Sequence, residues 1–165
     1  MNIFFTDYNQ TTAAQDLPDK LAIKMVLETA QLLCTAVNML GGQAKYKTTH
    51  KNHPCSIWTR ESVGNFNWLS VYGFRLAEEY RYRYKKTHKS EAVIQDCVDQ
   101  FLKHSLHKEI QNKLFFEPPK CMPTLFILRN NHVTDCYKDY MITEKSRFAK
   151  WEKGREAPSW WTTKK

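Results

Sequence analysis

The sequence predicts a mainly α fold, compact and confined to one domain over residues 1–165, with a short extended segment at the N-terminus. Three observations carry that expectation. The stretch from Pro18 to Val37 repeats its apolar side chains at helical period, and a second, longer run of the same period extends from Ser56 to Tyr84. A chain of 165 residues is also long enough for one core, burying about two thirds of the surface its unfolded form exposes.

Taken in order, residues 2–6 read as extended, and Thr11 to Asp16 as a helical turn that ends ahead of Pro18, because the residue before a proline disfavours the helical region. The first long helix runs from about Asp19 to Leu40, with Gly41-Gly42 as its stop. Along it Lys20, Lys24, Glu28, Gln31 and Thr35 fall in one row, at spacings of four, four, three and four, among mostly apolar neighbours. A thin polar stripe on a mostly buried helix fits the wall of a wet cleft, where a Lys/Glu ladder pairs its charges within reach of a ligand. The plainer reading is a helix exposed along one seam.

A polar loop follows, residues 43–54, and then the helical pattern to Tyr84, with a break near Ser62 to Gly64. Phe66, Leu69, Gly73, Leu76, Ala77 and Tyr80 form its core stripe. Arg75, Glu79 and Arg83 read as a solvated charge ladder. Ser90 caps a third helix over Val93 to Leu106 that buries Val93, Ile94, Cys97, Val98, Phe101 and Leu102. Pro118, Pro119 and Pro123 make the stretch from Asn112 to Asn131 irregular, with Leu125 to Leu128 as a short strand or a packed loop. Thr134 or Asp135 caps a last helix reaching about Glu152. The tail from Arg155 to Lys165 holds Trp160-Trp161 and is expected to be ordered, since two indoles want burial or a partner.

Composition narrows the function. Lys and Arg number 25 against 17 Asp and Glu, a formal net charge of +8, and aromatic residues make up 13% of the chain and interleave with the basic ones in Tyr80-Arg81-Tyr82-Arg83-Tyr84 and around Trp151. Cations neutralise phosphates and aromatic rings stack on bases or wedge between them, so double-stranded DNA is the expected partner. The five cysteines are odd in number and widely spaced, which argues against a disulfide framework and against a cysteine zinc site, and suits a reducing cytoplasm. The five glycines build no phosphate-cradling loop, so no nucleotide cofactor is expected. Neither a membrane-spanning apolar run nor a signal-like start is read in the sequence, and oligomeric state is left open.

The loop from Thr48 to Pro54 sets His50 and His53 three residues apart in a basic, hydroxyl-rich setting. Two imidazoles at that spacing can ligate a metal, but a site needs a third ligand and no cluster nearby in sequence supplies one, so no metal is expected. His53 and His50 are instead candidates for acid/base work or phosphate contact, with capping or packing as the alternative. Lys47, Lys51, Asn52 and Arg60 are candidate phosphate contacts, as is the Thr87-His88-Lys89 turn. Lys145, Arg147, Lys150 and Lys153, set among Phe148 and Trp151, suit backbone or minor-groove contact, and Arg83 joins the DNA-binding set.

Several of these pieces resemble a group of small phage proteins of unassigned role: Met1-Asn2-Ile3-Phe4, Asp19-Lys20, Lys24-Met25, Leu27-Glu28, Tyr46-Lys47, Asn52-His53-Pro54-Cys55, Trp58, Arg60-Glu61, and Phe148-Ala149-Lys150-Trp151 with Pro158 and Trp160. The likeness spans nearly the whole chain. More distantly, the outline resembles the phage pyrimidine-dimer DNA glycosylase and AP-lyase family. The shared features are an acidic residue on the first helix, a His-Pro element opening a long second helix that ends in Glu-Tyr and Arg, and an aromatic, basic tail. That resemblance implies an N-terminal α-amine as nucleophile, Glu28 as the assisting carboxylate, and Lys20 or Lys24 on the phosphates.

One departure matters. Initiator methionine is removed before small residues, and Asn2 is not small, so the α-amine of Met1 is the one at hand. An α-amine keeps a usable neutral fraction near neutral pH. Lys24 is the alternative nucleophile if the striped helix desolvates it. The expectation is a DNA repair or modification enzyme that works on a damaged or flipped nucleotide through an imine, without cofactor, in the host cytoplasm. The alternatives are a non-catalytic DNA-binding or host-interaction protein and a base-modifying transferase.

Overall fold

Pro18 fixes the chain at the entry to the central helix, where its missing N–H costs nothing because a first turn leaves that group unpaired. Helix α2, Asp19–Met39, follows and buries fourteen of its residues, among them Met25, Ala30, Leu33 and Val37. The structure, a computed structural model, describes residues 1–162; Lys164 and Lys165, the last charges of the basic tail, lie outside the described residues. Before α2 comes α1, Gln10–Gln15, capped by Asn9, whose side chain accepts from the N–H groups of Thr11 and Thr12. After it come α3, Pro54–Thr59, α4, Val63–Tyr84, and α5, Ser90–Lys103. Helices α3, α4 and α5 all pack on α2, and α1 packs on α4. By length and composition α2 could cross a membrane, contrary to the sequence reading, but 72% of that window is buried and it serves as the core helix.

The break between α3 and α4 falls where Ser62 turns extended and its hydroxyl accepts from the Asn65 N–H. Gly64 is required there: a Cβ would stand 2.1 Å from the backbone nitrogen of Phe115, so the irregular stretch after a short 3-10 turn at Leu106–Lys108 lies directly on α4. That stretch leads into α6, Thr124–Leu128, and α7, Val133–Glu144. No strand forms among the described residues, and Ser62 and Gln111 make one isolated bridge.

Four expectations need correction. Leu125 to Leu128 is helical, neither strand nor loop, because Pro123 starts a turn that its own rigid φ favours. The last helix begins after His132 and stops at Glu144, eight residues short of Glu152, where the chain leaves to bond α2: Asp19 donates its N–H to the Lys150 carbonyl at 2.8 Å. Ser90 lies inside α5 and caps nothing; its hydroxyl meets that of Tyr46 at 3.0 Å, and Leu102 is 61% exposed.

Glu79 and Arg83, expected as a solvated ladder, are the fourth. Their side chains are 3% and 0% exposed. The Arg83 guanidinium donates to Glu79 at 2.7 Å, to Asp19 at 3.0 Å, and to the carbonyls of Leu17 and Gln15 at 2.7 and 3.0 Å. Arg155 from the tail forks onto the same Glu79 carboxylate at 2.8 and 3.0 Å, while Arg75 pairs instead with Glu78. Removing one member of a buried pair strands the other charge. Arg83→Ala is therefore expected to cost about 3–5 kcal/mol in urea or thermal unfolding, against a change near zero for Arg75→Ala.

Asp16 gives a pH signature. Burial pushes its pKa upward, opposed by the Trp160 indole N–H that donates to it at 3.1 Å. A carboxyl that holds its proton more tightly when folded contributes most below its unfolded pKa of about 4 and loses that contribution as pH rises through the folded value. Thermal melts of Asp16→Asn should accordingly lose less stability than wild type on going from acid to neutral pH.

Candidate active site

The chain start is held by hydrogen bonds to three other parts of the fold. Asn2 is buried and donates its backbone N–H to Glu28 Oε2 at 3.3 Å. Its side-chain Nδ2 donates to the Cys121 carbonyl at 2.9 Å, and its Oδ1 accepts from the Tyr137 hydroxyl at 2.9 Å and from the Ile3 N–H at 2.8 Å. Ile3 and Phe5 then bury completely, so residues 2–5 form an extended segment locked into the core. The other oxygen of Glu28 lies 3.1 Å from Lys24 Nζ, whose side chain is 62% exposed while that of Glu28 is 12% exposed. Lys24 is thus not desolvated, contrary to the expectation that would make it a nucleophile. The outward face of α2 carries Lys20, Lys24, Leu27 and Gln31, whereas Thr35 turns inward and exchanges hydrogen bonds with Thr49 at 3.1 Å.

His53 stands at the N-terminal end of α3, half-buried, with Nδ1 accepting from the Cys55 N–H at 3.1 Å. Burial lowers its pKa, the positive charges of the Met1 α-amine and His50 lower it further, and Glu28 opposes them. Met1, Glu28 and His53 therefore share one electrostatic neighbourhood. The exposed His50 adopts a left-handed φ of 48° and sets Nδ1 against the Thr49 hydroxyl at 2.6 Å. Spacing along the chain missed what lies beside His53. Cys55 Sγ and Cys121 Sγ are 3.5 Å apart, and both come within 4.8 Å of a His53 ring nitrogen. The Cys55 thiol hydrogen bond makes Cys121 the more easily ionised of the pair, and burial opposes that.

Two clefts open along the exposed face of α2, with Glu28 on the helix between them. One, about 570 Å³, is walled by Lys20, Lys24, Lys145 and Arg147 with Phe4 and Phe148. The other, about 450 Å³, is lined by Leu27, Gln31, Lys45, Tyr46, Lys47 and Thr49. Neither holds a carboxylate in its lining. A larger cavity of about 680 Å³, between Gly41 to Gln43 and α5, includes Asp96 and Asp99 and so suits a polyanion poorly.

The remaining candidates divide. Lys51 and Asn52 are exposed on the loop, and Arg60 reaches back to hold the Lys51 carbonyl at 2.8 Å. Lys150 is exposed but pairs with Glu152 at 3.3 Å. Arg83, a sequence candidate for DNA contact, has no accessible side chain and cannot reach a phosphate. Trp151 is half-buried and packs edge-on against Trp161 at 4.8 Å, which makes it part of the tail's attachment more than a free wedge.

A basic all-α fold with two cationic clefts along one helix face, and a carboxylate on that helix between them, is suited to a polyanion. The family model described as pyrimidine dimer DNA glycosylase matches residues 1–92, and the chain belongs to that family. The match takes in the chain start, α2, the His53 loop and α4; Cys121, Lys145 and Arg147 lie beyond it. No curated protein and no solved structure gave a match.

The cleft makes a quantitative prediction. If Lys145 and Arg147 each neutralise one phosphate, the Lys145→Ala/Arg147→Ala protein should bind duplex DNA with a salt dependence of log K shallower by about 0.9 for each phosphate left without its cation. Fluorescence anisotropy over a salt series reads this slope, and an unchanged slope removes the cleft from the DNA path.

Proposed function

We propose that this chain excises a damaged pyrimidine from duplex DNA, using the α-amine at its N-terminus as nucleophile and Glu28 as acid/base. The observation that carries this reading is the 3.3 Å contact between the Asn2 backbone nitrogen and Glu28, which docks the first residues of the chain on the only carboxylate of the α2 stripe. In the proposed step the Met1 nitrogen bonds to C1′ of the deoxyribose. The C1′–N glycosidic bond breaks, its electron pair leaves with the pyrimidine, and the proton lost by the attacking nitrogen passes to Glu28. Glu28 then returns that proton to O4′ as the C1′–O4′ bond breaks and the nitrogen lone pair closes the C=N bond, leaving a protonated imine, the intermediate from which strand cleavage follows.

Other side chains take supporting roles in this reading. Lys24 holds Glu28 and, with Lys20, Lys145 and Arg147, receives phosphates on one side of the amine; Lys47 and the exposed loop residues His50, Lys51 and Asn52 receive them on the other. Phe4, Phe148 and Leu27 offer apolar surface for a base displaced from the stack. The protein would work wherever DNA is held in the cell, which for a phage protein is the host cytoplasm.

Borohydride reduction on DNA carrying an abasic site is the test. The wild-type chain should become covalently linked to the DNA. Glu28→Gln, whose amide oxygen still accepts from Asn2, should fold and bind DNA as before while its trapping rate falls about 10²-fold or more. A wild-type protein that binds the DNA but forms no adduct would reduce it to a binder.

A further inference from the structure

We propose that His53, Cys55 and Cys121 form a binding site for a thiophilic divalent cation, zinc in the first instance. Their ligand atoms all lie within 4.8 Å of one another, and no other trio of His, Cys, Asp or Glu side chains comes so close among the described residues. The site is independent of the glycosylase reading and would stand if the chain cleaved no DNA.

The Sγ atoms are 3.5 Å apart. A tetrahedral zinc with Zn–S bonds of about 2.3 Å separates two thiolates by roughly 3.8 Å, whereas a disulfide needs about 2.05 Å. The thiols are thus within a few tenths of an ångström of the metal-bound spacing and much further from a bridge. The second thiol pair is the internal control. Cys34 and Cys97 are 3.4 Å apart, but both are fully buried and no imidazole or carboxylate completes the set.

Each ligand is held in place. Cys55 is set by the first turn of α3. Cys121 donates its N–H toward the Tyr137 hydroxyl at 3.4 Å and gives its carbonyl to Asn2. His53 and Cys121 are partly exposed, which leaves an entry path and a fourth position for water. Binding releases the two thiol protons to solvent and takes a lone pair of the His53 ring; even where that lone pair is the one now accepting from the Cys55 N–H, one neutral hydrogen bond is a small loss against two thiolate–metal bonds. Two sulfurs and an imidazole select zinc over magnesium or calcium, which prefer oxygen.

The test is a cobalt(II) titration of the full-length reduced protein. One equivalent should give thiolate-to-cobalt charge transfer in the near ultraviolet and strong visible bands of a tetrahedral ion, both bleached by zinc. Cys121→Ser should lower the charge-transfer intensity by about half, His53→Ala should keep that band but weaken affinity, and Cys34→Ser should change neither. Zinc should also raise the melting temperature of wild type and leave that of Cys121→Ser where it was. Weak octahedral bands like those of aqueous cobalt, or a spectrum abolished by Cys34→Ser and indifferent to Cys121→Ser, would overturn the assignment.

Discussion

A guanidinium cut off from water has to be ringed by acceptors, and the burial of Arg83 fixes where the ends of the helices meet. Its donors collect the last turn of α1 through Gln15, the connection to α2 through Leu17, the first residue of α2 through Asp19, and its own helix through Glu79. The two carboxylates then gather the tail: Asp19 accepts from the Glu152 N–H at 2.8 Å, and Glu79 takes the fork of Arg155. Burying such a network gains little net stability, because desolvation offsets most of the attraction. What it supplies is position. With residues 150–152 tied to the start of α2, the preceding turn carries Lys145, Arg147 and Phe148 alongside Lys20 and Lys24, and the cationic cleft exists because of that tie.

At the other end of the same face the organising group is Asn2. A short polar side chain next to the N-terminus would ordinarily fray into solvent, yet this one joins Cys121 and Tyr137 while the backbone N–H of the same residue joins Glu28. Those bonds bring the chain start, the α2 carboxylate and the segment before α6 to one point, with His53 beside them. The chemistry proposed at the amine and the metal site proposed at the thiols are thus neighbours because one asparagine ties their elements together, while each rests on different atoms.

The helical fold and the α2 stripe are legible in the sequence because both are periodic: Lys20, Lys24 and Gln31 face outward as their spacing requires. Leu27 departs from the stripe, 40% exposed between charged neighbours. Arg83 is illegible since an i,i+4 charge ladder looks the same in sequence whether water or carbonyl oxygens surround it, and only the closing of α1, α2 and the tail decides. Pro-rich spacing correctly marks residues 112–123 as irregular but misses α6, a five-residue helix too short to show a period. Cys121 cannot be joined to His53 from the sequence, because 66 residues separate it from Cys55 and the contact depends on a Gly64 backbone crossing and on Asn2.

In the proposed reaction the reactive nitrogen is the α-amine of Met1, whose neighbour Asn2 is hydrogen-bonded to Glu28. The most direct measurement is peptide mapping by mass spectrometry of the adduct formed with abasic-site DNA under borohydride. The reduced sugar remnant should sit on the α-nitrogen of the peptide that begins with Met1. A remnant on Lys24, or on any other lysine side chain, would contradict it.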